Sequence, residues 1–378
     1  MKAKRIVNLK SPFRYPGAKT RLLNDLLGWI VPGMSSRSVY VEPFVGGGSV
    51  LLRVAELFPD CKLVANDKDR SIFSFWKCLT DDAKTKALVG KIMSTTPSVD
   101  EHSRQQERLD SEDVVESAFA GLFCNRTSFS GILTSGSIGG EQQKSKWTVG
   151  CRYNASLLSK NIMEIHKAVG HRLSAGNEDF QAVMERQDGD DAFIYCDCPY
   201  YVKGNILYRH GMSPEDHKRL RDTLKTFQHA KFVASYDDVK EVRELYAGFE
   251  VAEIKVRYSI EGEKRESWNS KSELVFFSKG IGPSGAMVRI PVKPPTGPAP
   301  NAVVMTVKHR VLSAVLDAFQ ELQKISSDDP LSELKRDSLI AVLRRARKMG
   351  IPQPVYADGS WQFIDGMAWE SKFITLDD

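Results

Sequence analysis

The chain has 378 residues, which is enough for two or three domains with an ample core, and its composition is that of an ordinary soluble globular protein. It contains no run of about 18 apolar residues and no signal-type apolar segment after Met1–Arg5, so the sequence predicts a cytosolic protein with no membrane partner. The net charge of +5 is too small to identify a partner. Every charged residue before Asp25 is basic, however, which suits phosphate contacts as well as a solvated terminus.

The first elements predict the edge of a nucleoside-binding sheet. A loop over residues 11–19 precedes a helix over 22–30, and a short strand at 39–41 then leads into three glycines, Gly46–Gly48, and a helix ending near Phe58. Glycines at such a joint let the backbone pass close to a ligand and leave helix N–H groups facing it. A second strand ends at Asp67, at the separation from Gly46 that places a carboxylate near ribose hydroxyls. The glycine turn itself does not have the pattern G-x-G-x-x-G, and no Lys-Ser or Lys-Thr follows it, which argues against NAD and ATP.

Residues 80–165 predict a largely helical insertion, because no strand pattern resumes until about residue 192. Helices are predicted over 71–79, 81–93 and 111–123, with a polar stretch at 97–112 between the last two. Arginines beside amides and aromatics follow in a flexible polar region at Asn125, Arg126, Ser128, Arg152 and Tyr153. These residue types contact base edges and phosphates, and a plain solvent loop is the alternative.

A buried strand over 192–196 ends abruptly at Asp197, Cys198, Pro199 and Tyr200. The Asp197 carboxylate and the Cys198 carbonyl, which a following proline biases to an extended conformation, are two acceptors that suit an exocyclic amino group. Tyr200 offers a flat face for a heteroaromatic ring, and ligands of open α/β sheets bind at strand ends of this kind. The alternative is a strand and turn in which Asp197 caps and Tyr200 is half-buried.

The rest of the chain predicts a helix from Ser213-Pro214, a strand at 231–236, a helix at 239–246 and two antiparallel strands at 251–258 and 272–278. Gly- and Pro-rich residues 281–300 predict a linker, followed by helices over 303–325 and 331–348 and a β-rich tail. The six cysteines show neither a C-x-x-C pair nor a histidine at ligand spacing, so the sequence predicts reduced thiols and no metal site.

Five motifs, taken in order, resemble those of the Dam-type, S-adenosylmethionine-dependent DNA adenine-N6 methyltransferases, in the version often carried by bacteriophages. They are Phe13–Lys19, Glu42–Ser49, Asn66-Asp67, Asn125–Gly131 and Asp197–Tyr200, and the resemblance covers residues 11–279. It implies an α/β fold: a Rossmann-like methyltransferase sheet, doubly wound with an antiparallel C-terminal hairpin, plus a helical insertion domain. The catalytic domain would comprise residues 1–79 and 166–280, residues 80–165 would read the target, and 301–378 would form an accessory domain.

The resemblance also implies S-adenosyl-L-methionine as cofactor, double-stranded DNA as substrate and a flipped adenine as target. The cofactor would lie against Tyr15, Gly17, Lys19, Glu42, Phe44, Gly46, Gly48 and Asp67. Asp197 and the Cys198 carbonyl would accept from the adenine amino group, Pro199 would restrict Cys198, and Tyr200 would stack on the base. DNA contacts would come from Asn125, Arg126, Ser128, Arg152 and Tyr153. Cys198 replaces the proline usual in this family; because the group needed there is a main-chain carbonyl, we expect activity to survive.

Two other functions stay open on the sequence alone. One is methylation of a different amine, such as cytosine N4 or an RNA or protein amide. The other is a non-catalytic DNA-binding protein that retains the fold. A nicotinamide oxidoreductase is disfavoured, because no hydride-handling histidine or Tyr-Lys pair stands out.

Overall fold

The computed structural model describes residues 9–14, 19, 22–35, 37–202, 204–256, 271–281, 288–289, 354–357 and 360–363. The chain divides into two units, Met1–Pro298 and Ala299–Asp378. The predicted helices over 303–325 and 331–348 lie outside the described residues, as does nearly all of the predicted linker. The domain boundaries within the first unit stay a prediction.

The first unit is built on an eight-stranded sheet. Its strands are β1 (Val39–Glu42), β2 (Lys62–Asn66), β3 (Leu173–Gly176), β4 (Ala192–Asp197), β5 (Lys231–Asp237), β6 (Glu250–Val256), β7 (Lys271–Phe277) and β8 (Val288–Arg289). They lie in the order β3-β2-β1-β4-β5-β7-β6-β8, with β1 to β5 parallel and β7 antiparallel to both β5 and β6. This arrangement confirms the predicted methyltransferase-like sheet with its antiparallel C-terminal strands.

Helices cover the sheet and connect its strands. They are α1 (Leu23–Gly33), α2 (Ser49–Leu57), α3 (Arg70–Cys78), α4 (Asp82–Ser94), α5 (Val99–Gln106), α6 (Val114–Thr127), α7 (Ala155–Val169), α8 (Phe180–Arg186), α9 (Gly204–Leu207), α10 (Pro214–Thr226) and α11 (Lys240–Leu245). Several begin at a short polar side chain that accepts from a backbone N–H of the first turn, as Asp69 does for α3 and Ser213 for α10. None of the helices described is long and apolar enough to cross a membrane.

Two apolar clusters lie on opposite faces of the sheet because successive strand residues alternate between them. Phe193 and Tyr195 of β4 belong to the first cluster, whereas Ile194 and Cys196 belong to the second. Burial on both faces explains why the parallel strands form continuous apolar runs in the sequence. Leu88 of α4, Phe119 of α6 and Ile162 of α7 also belong to the first cluster, so the helical segment shares its core with the sheet.

Several elements differ from the sequence expectation; one is strand β8, which lies within the predicted linker, and two others have a clear physical cause. Strand β3 was not predicted, since strands were expected to resume only near residue 192; it has a single buried apolar residue, Leu173, and forms by parallel pairing with β2. Helix α5 forms inside the stretch taken as merely polar, where Ser98 caps it and the buried His102 and Gln105 side chains form hydrogen bonds to Thr127 and Glu101. Hydrophobic periodicity has no signal for either case.

In the second unit, β9 (Pro354–Ala357) and β10 (Ser360–Phe363) pair as an antiparallel hairpin. This hairpin lies within the predicted β-rich tail.

Candidate active site

Two strand ends that the sequence singled out lie side by side. Strands β1 and β4 are parallel neighbours, with Val39 opposite Ala192 and Val41 opposite Ile194, so both end at the same edge of the sheet. One cavity at this edge is lined by the Gly46–Gly48 turn, by Asp67 and by Asp197 and Pro199. The structure therefore brings the predicted cofactor turn and the predicted catalytic motif to one site, where parallel α/β sheets bind their ligands.

The triple-glycine turn needs glycine for two separate reasons. Gly46 and Gly48 both have positive φ, at 46° and 61°. A Cβ atom on Gly48 would also lie 2.3 Å from the Trp76 ring, and the Trp76 indole donates to the Gly46 carbonyl at 3.0 Å. Helix α2 begins directly after this turn at Gly48, which has no side chain to cap it. The buried Glu42 carboxylate accepts from the backbone N–H of Leu51 in the first turn, which leaves the N–H groups of Ser49 and Val50 for a ligand.

Asp67 follows β2 and closes the turn from the other side. Its carboxylate accepts from the backbone N–H of Gly46 at 2.8 Å and from that of Asp69 at 2.9 Å. Burial, together with the nearby charge of Asp69, raises the pKa of Asp67 to about 7. Each carboxylate oxygen keeps a second lone pair, so Asp67 can still accept from ligand hydroxyl groups.

Two aromatic rings and one buried acid also line the cavity. Phe44 lies 5.3 Å from Phe180, centroid to centroid, and both rings line the cavity. Glu42 is buried and accepts from the Tyr40 hydroxyl at 2.8 Å, and burial raises its pKa well above the usual range. Phe180 was not predicted from the sequence, because it begins the helix that follows the C-terminal end of β3, and β3 itself was not predicted. Tyr15 and Gly17 lie outside the described residues.

Asp197 is paired with a buried lysine. The ammonium nitrogen of Lys19, which is 3% exposed, lies 3.0 Å from Asp197 Oδ1 and 3.1 Å from Glu273 Oε2. Burial opposes the charge on Lys19, but the two carboxylates prevail and raise its pKa well above the ordinary lysine value. Burial also raises the pKa of Asp197, against the opposing effect of Lys19. Lys19 thus contacts the carboxylate of the predicted catalytic residue directly.

Glu273 is a site residue that sequence reasoning missed. It lies near the start of β7 and pairs with Asp237 at the C-terminal end of β5. An antiparallel strand brings its beginning, rather than its end, to this edge of the sheet. Looking for acids at the N-terminal ends of antiparallel strands would have found it.

The residues after Asp197 divide between the two faces of the sheet. The Cys198 thiol is buried in the second apolar cluster, and the Cys198 N–H donates to the Ser235 carbonyl at 3.2 Å. Pro199 and Tyr208 line the cavity. Tyr200, whose hydroxyl donates to Glu273 Oε1 at 3.3 Å, stands beside the cavity with the Lys19 ammonium 5.1 Å from its ring centroid.

Three of the five predicted DNA-contact residues are buried. The Asn125 side chain accepts from the backbone N–H of Arg14 at 2.6 Å and donates to the Gly131 carbonyl at 2.9 Å. Ser128 is buried, and the Tyr153 hydroxyl donates to the carbonyl of Ile92 at 2.9 Å. These contacts are internal to the protein, and the three side chains do not face solvent.

The other two belong to a cluster of like charge. Burial, followed by the charges of Arg14 and Arg152, lowers the pKa of Arg126 to about 10. Arg126 donates to the Pro12 carbonyl, whereas Arg152 is exposed with its guanidinium 5.7 Å from the Trp147 ring centroid. Arg14, Arg126 and Arg152 (the arginine cluster) form no ion pair with any carboxylate in the part of the chain that is described. Uncompensated cations of this kind attract an anion.

Cysteines and metal ligands contribute nothing further to the cavity. All six cysteines are free, five of them buried and Cys151 exposed. Among the described residues, no group of three or more His, Cys, Asp or Glu side chains is arranged to hold a metal ion.

Comparison with known proteins connects this geometry to one chemistry. The chain is 25% identical over 264 residues to the DNA N-6-adenine-methyltransferase of Escherichia phage P1, which covers 66% of this chain but only 33% of that protein. It is 22% identical to a type II methyltransferase of Methanocaldococcus jannaschii, covering 69% of this chain and 96% of the relative. It is 23% identical to a type II methyltransferase of Paramecium bursaria Chlorella virus NC1A, covering 66% and 91%.

The chain thus spans about a third of the phage P1 relative and nearly all of the other two. Residues 15–260 match the family described as D12 class N6 adenine-specific DNA methyltransferase. That range contains the glycine turn, Asp67, the arginine cluster except Arg14, and the whole Asp197–Tyr200 motif. The resemblance seen in the sequence is confirmed: the chain belongs to the family of D12 class N6 adenine-specific DNA methyltransferases.

Proposed function

We propose that this protein transfers a methyl group from S-adenosyl-L-methionine to the N6 amino group of a flipped adenine in double-stranded DNA. One observation carries the proposal: the glycine turn after β1 and the Asp197 motif after β4 line the same cavity. A methyl donor and a methyl acceptor must meet within bonding distance, and parallel neighbouring strands give that proximity.

The cavity suits this cofactor by chemistry. S-adenosyl-L-methionine, when bound, supplies a methyl group on a positively charged sulfonium. Asp67 would accept from the ribose hydroxyls, and the rings of Phe44 and Phe180 would flank the adenine. The backbone N–H groups of Ser49 and Val50 at the start of α2 would receive the methionine carboxylate. Acidic side chains around the cavity favour a ligand with cationic groups.

Asp197 would activate the target amine. An aromatic amine is a poor nucleophile because its lone pair is delocalised into the ring. Accepting its two N–H groups at the Asp197 carboxylate and the Cys198 carbonyl favours a pyramidal nitrogen with a free lone pair. These two acceptors would hold the amine nitrogen so that its bond to the methyl carbon forms in line as the bond from that carbon to sulfur breaks, and the methylated amine would release its proton afterwards.

Lys19 has a definite part in this scheme. Its ammonium group, 3.0 Å from Asp197 Oδ1, keeps Asp197 ionised, so Asp197 accepts hydrogen bonds rather than donating one. The Tyr200 ring beside it would stack on the flipped base.

The proposal is tested by sequencing DNA from cells that express this chain, with detection of modified bases. We expect N6-methyladenine in one sequence context, and none with Asp197→Ala. N4-methylcytosine would indicate a different amine. DNA binding without any methylation would indicate a non-catalytic protein that retains the fold.

The purified Asp197→Ala protein separates binding from chemistry. Removing the acceptor should lower the single-turnover rate by about a thousandfold or more. Affinity for S-adenosyl-L-methionine should stay nearly the same, because the cofactor is assigned to other residues. Equal losses of rate and cofactor affinity would contradict the role given to Asp197.

A further inference from the structure

One acidic residue of the cavity edge has no role in the scheme above. Glu273 lies in β7 between Ser272 and the apolar run Leu274–Phe277, and it is 5% exposed. A buried carboxylate costs free energy unless other groups pair with it.

The two oxygens of Glu273 contact two different parts of the site. Oε2 lies 3.1 Å from the Lys19 ammonium, which in turn lies 3.0 Å from Asp197. Oε1 accepts from the Tyr200 hydroxyl at 3.3 Å. One carboxylate therefore holds the partner of Asp197 and, directly, the ring of Tyr200.

We propose that Glu273 is a positioning residue for methyl transfer. It holds Lys19 against Asp197 and fixes the ring of Tyr200, so the carboxylate that accepts from the amine and the ring that stacks on the base keep one relative geometry. The inference rests on the proposed function. Asp197 is the last residue of β4 and Tyr200 lies in the loop that follows, whereas Glu273 lies within β7, which pairs with a strand on each side. A residue of a doubly paired strand is a firm anchor for a strand end and for the ring of a loop residue.

Charge supports the same assignment. Lys19 and Asp197 alone form a neutral pair, and Glu273 gives the group a net negative charge. Such a group favours N–H donors and a cationic cofactor over anions. The other titratable groups around it are Glu42, Tyr195, Tyr208 and Asp237, so Lys19 is the cation at the centre of the group.

The first test is Glu273→Gln, which keeps the size of the side chain and removes its charge. We expect the single-turnover rate on DNA to fall by about tenfold to a hundredfold, with cofactor affinity within about twofold of the wild type. Glu273→Asp, which keeps the charge, should recover part of the rate. The matched control is Glu253→Gln on the neighbouring strand β6, where an ion pair with Arg243 is lost away from the cavity and the rate should not change.

A double-mutant cycle asks whether Glu273 acts through Lys19. In a Lys19→Met background, Glu273→Gln should lower the rate by no more than about threefold further, because the group that it holds is gone. Full additivity of the two losses would overturn the proposal. Should Glu273→Gln fail to fold, Tyr200→Phe removes only the hydroxyl contact, and a rate equal to the wild type would then overturn it.

A readout that needs no methyl transfer separates this inference from the proposed function. The carboxyl carbon of Asp197, labelled with ¹³C and assigned by its loss in Asp197→Asn, is titrated by NMR in the wild type and in Glu273→Gln. Lys19→Met is then titrated in both backgrounds, because the shift that it causes in the pKa of Asp197 measures the contact between Lys19 and Asp197 free of the direct charge effect of Glu273. That shift should be upward, and larger in the wild type than in Glu273→Gln, where Lys19 is no longer held against Asp197. Equal shifts in the two backgrounds would overturn the positioning role even in a protein that methylates nothing.

Discussion

Asp67 is a carboxylate that holds the glycine turn and that, in the proposed function, also accepts from the cofactor. Its two oxygens accept from the backbone N–H groups of Gly46 and Asp69, and this fixes the glycine turn before anything binds. The same enclosure raises the pKa of Asp67 to about 7. The group therefore changes charge within the range in which cells operate.

Cofactor affinity should depend on pH through this group. A cationic cofactor favours the ionised form of Asp67, so binding lowers its pKa and releases a proton. Affinity should fall by about tenfold from pH 8 to pH 6, as Asp67 becomes protonated in the free protein. Calorimetry in two buffers of different ionisation enthalpy measures both the affinity and the proton release. Asp67→Asn should bind more weakly with a flatter pH dependence, whereas a wild type with equal affinity at both pH values would contradict the assignment.

Cys198 is the residue at which the chain departs from the motif that it resembles. Its thiol is buried in the second apolar cluster, and its N–H donates to the Ser235 carbonyl. Only its carbonyl is assigned to the reaction. A side chain placed in this way affects the stability of the strand end more than the chemistry.

Cys198→Pro should therefore cost stability rather than activity. Proline has no N–H, so the bond to Ser235 is lost at a cost of about 1 kcal/mol in the free energy of unfolding. The methyl-transfer rate should stay within about fivefold of the wild type. Denaturant unfolding and single-turnover assays measure the two quantities. A rate increase of about a hundredfold or more would instead describe the natural chain as an impaired enzyme.

At the scale of elements, the turn between β1 and α2 depends on one close approach. Gly48 has φ of 61° and leaves no room for a Cβ beside the ring of Trp76, a residue of α3. The shape of the turn is thus set by a helix that follows it in the chain.

Gly48→Ala should destabilise the protein by about 2–4 kcal/mol, from the strained backbone and the contact with Trp76. It should also weaken cofactor binding, because the turn must move. The matched control is Gly90→Ala in α4, an exposed helical glycine with no atom within 4 Å of the added Cβ. That change should stabilise by about 0.5–1 kcal/mol. Thermal unfolding of both variants checks the pair, and a Gly48→Ala protein as stable as the wild type would refute the argument.

At the scale of the whole molecule, charge is informative through its distribution rather than its sum. The net charge is only +5, yet Arg14, Arg126 and Arg152 come together from three parts of the chain with no ion-paired carboxylate among the residues described. Mutual repulsion within such a cluster is relieved by an anion, and a DNA backbone supplies phosphates.

Arg152→Gln should weaken DNA binding to a similar extent for every sequence, and should reduce the slope of log affinity against log salt by about 1. Fluorescence anisotropy at several salt concentrations measures that slope. Lys86→Gln is the control: Lys86 is already paired with Asp82 at 2.6 Å, so its loss should leave the slope unchanged. An unchanged slope in Arg152→Gln would show that the arginine cluster does not contact DNA phosphates.

Much of the fold follows from local patterns in the sequence. Apolar runs that stop at an acid predict the strands that end at Glu42 and Asp197 and the one that ends just before Asp67, because strand burial and strand end are both visible within a few residues. The glycine turn and the position of Asp67 predict a nucleoside-type edge for the same reason. Strand β3 and helix α5 escaped because pairing and polar burial form them, and neither leaves a periodic pattern.

The partners of the site residues were decided only by the tertiary structure. Lys19, Asp197 and Glu273 come from distant parts of the chain and meet because an antiparallel strand starts where parallel strands end. Asn125 looked like a DNA contact by residue type, yet its amide is used up on the backbone of Arg14 and Gly131. The residues alone determined the class of fold and chemistry, since those signals are local; which side chains face one another depends on chain topology, which brings residues together without leaving a local mark.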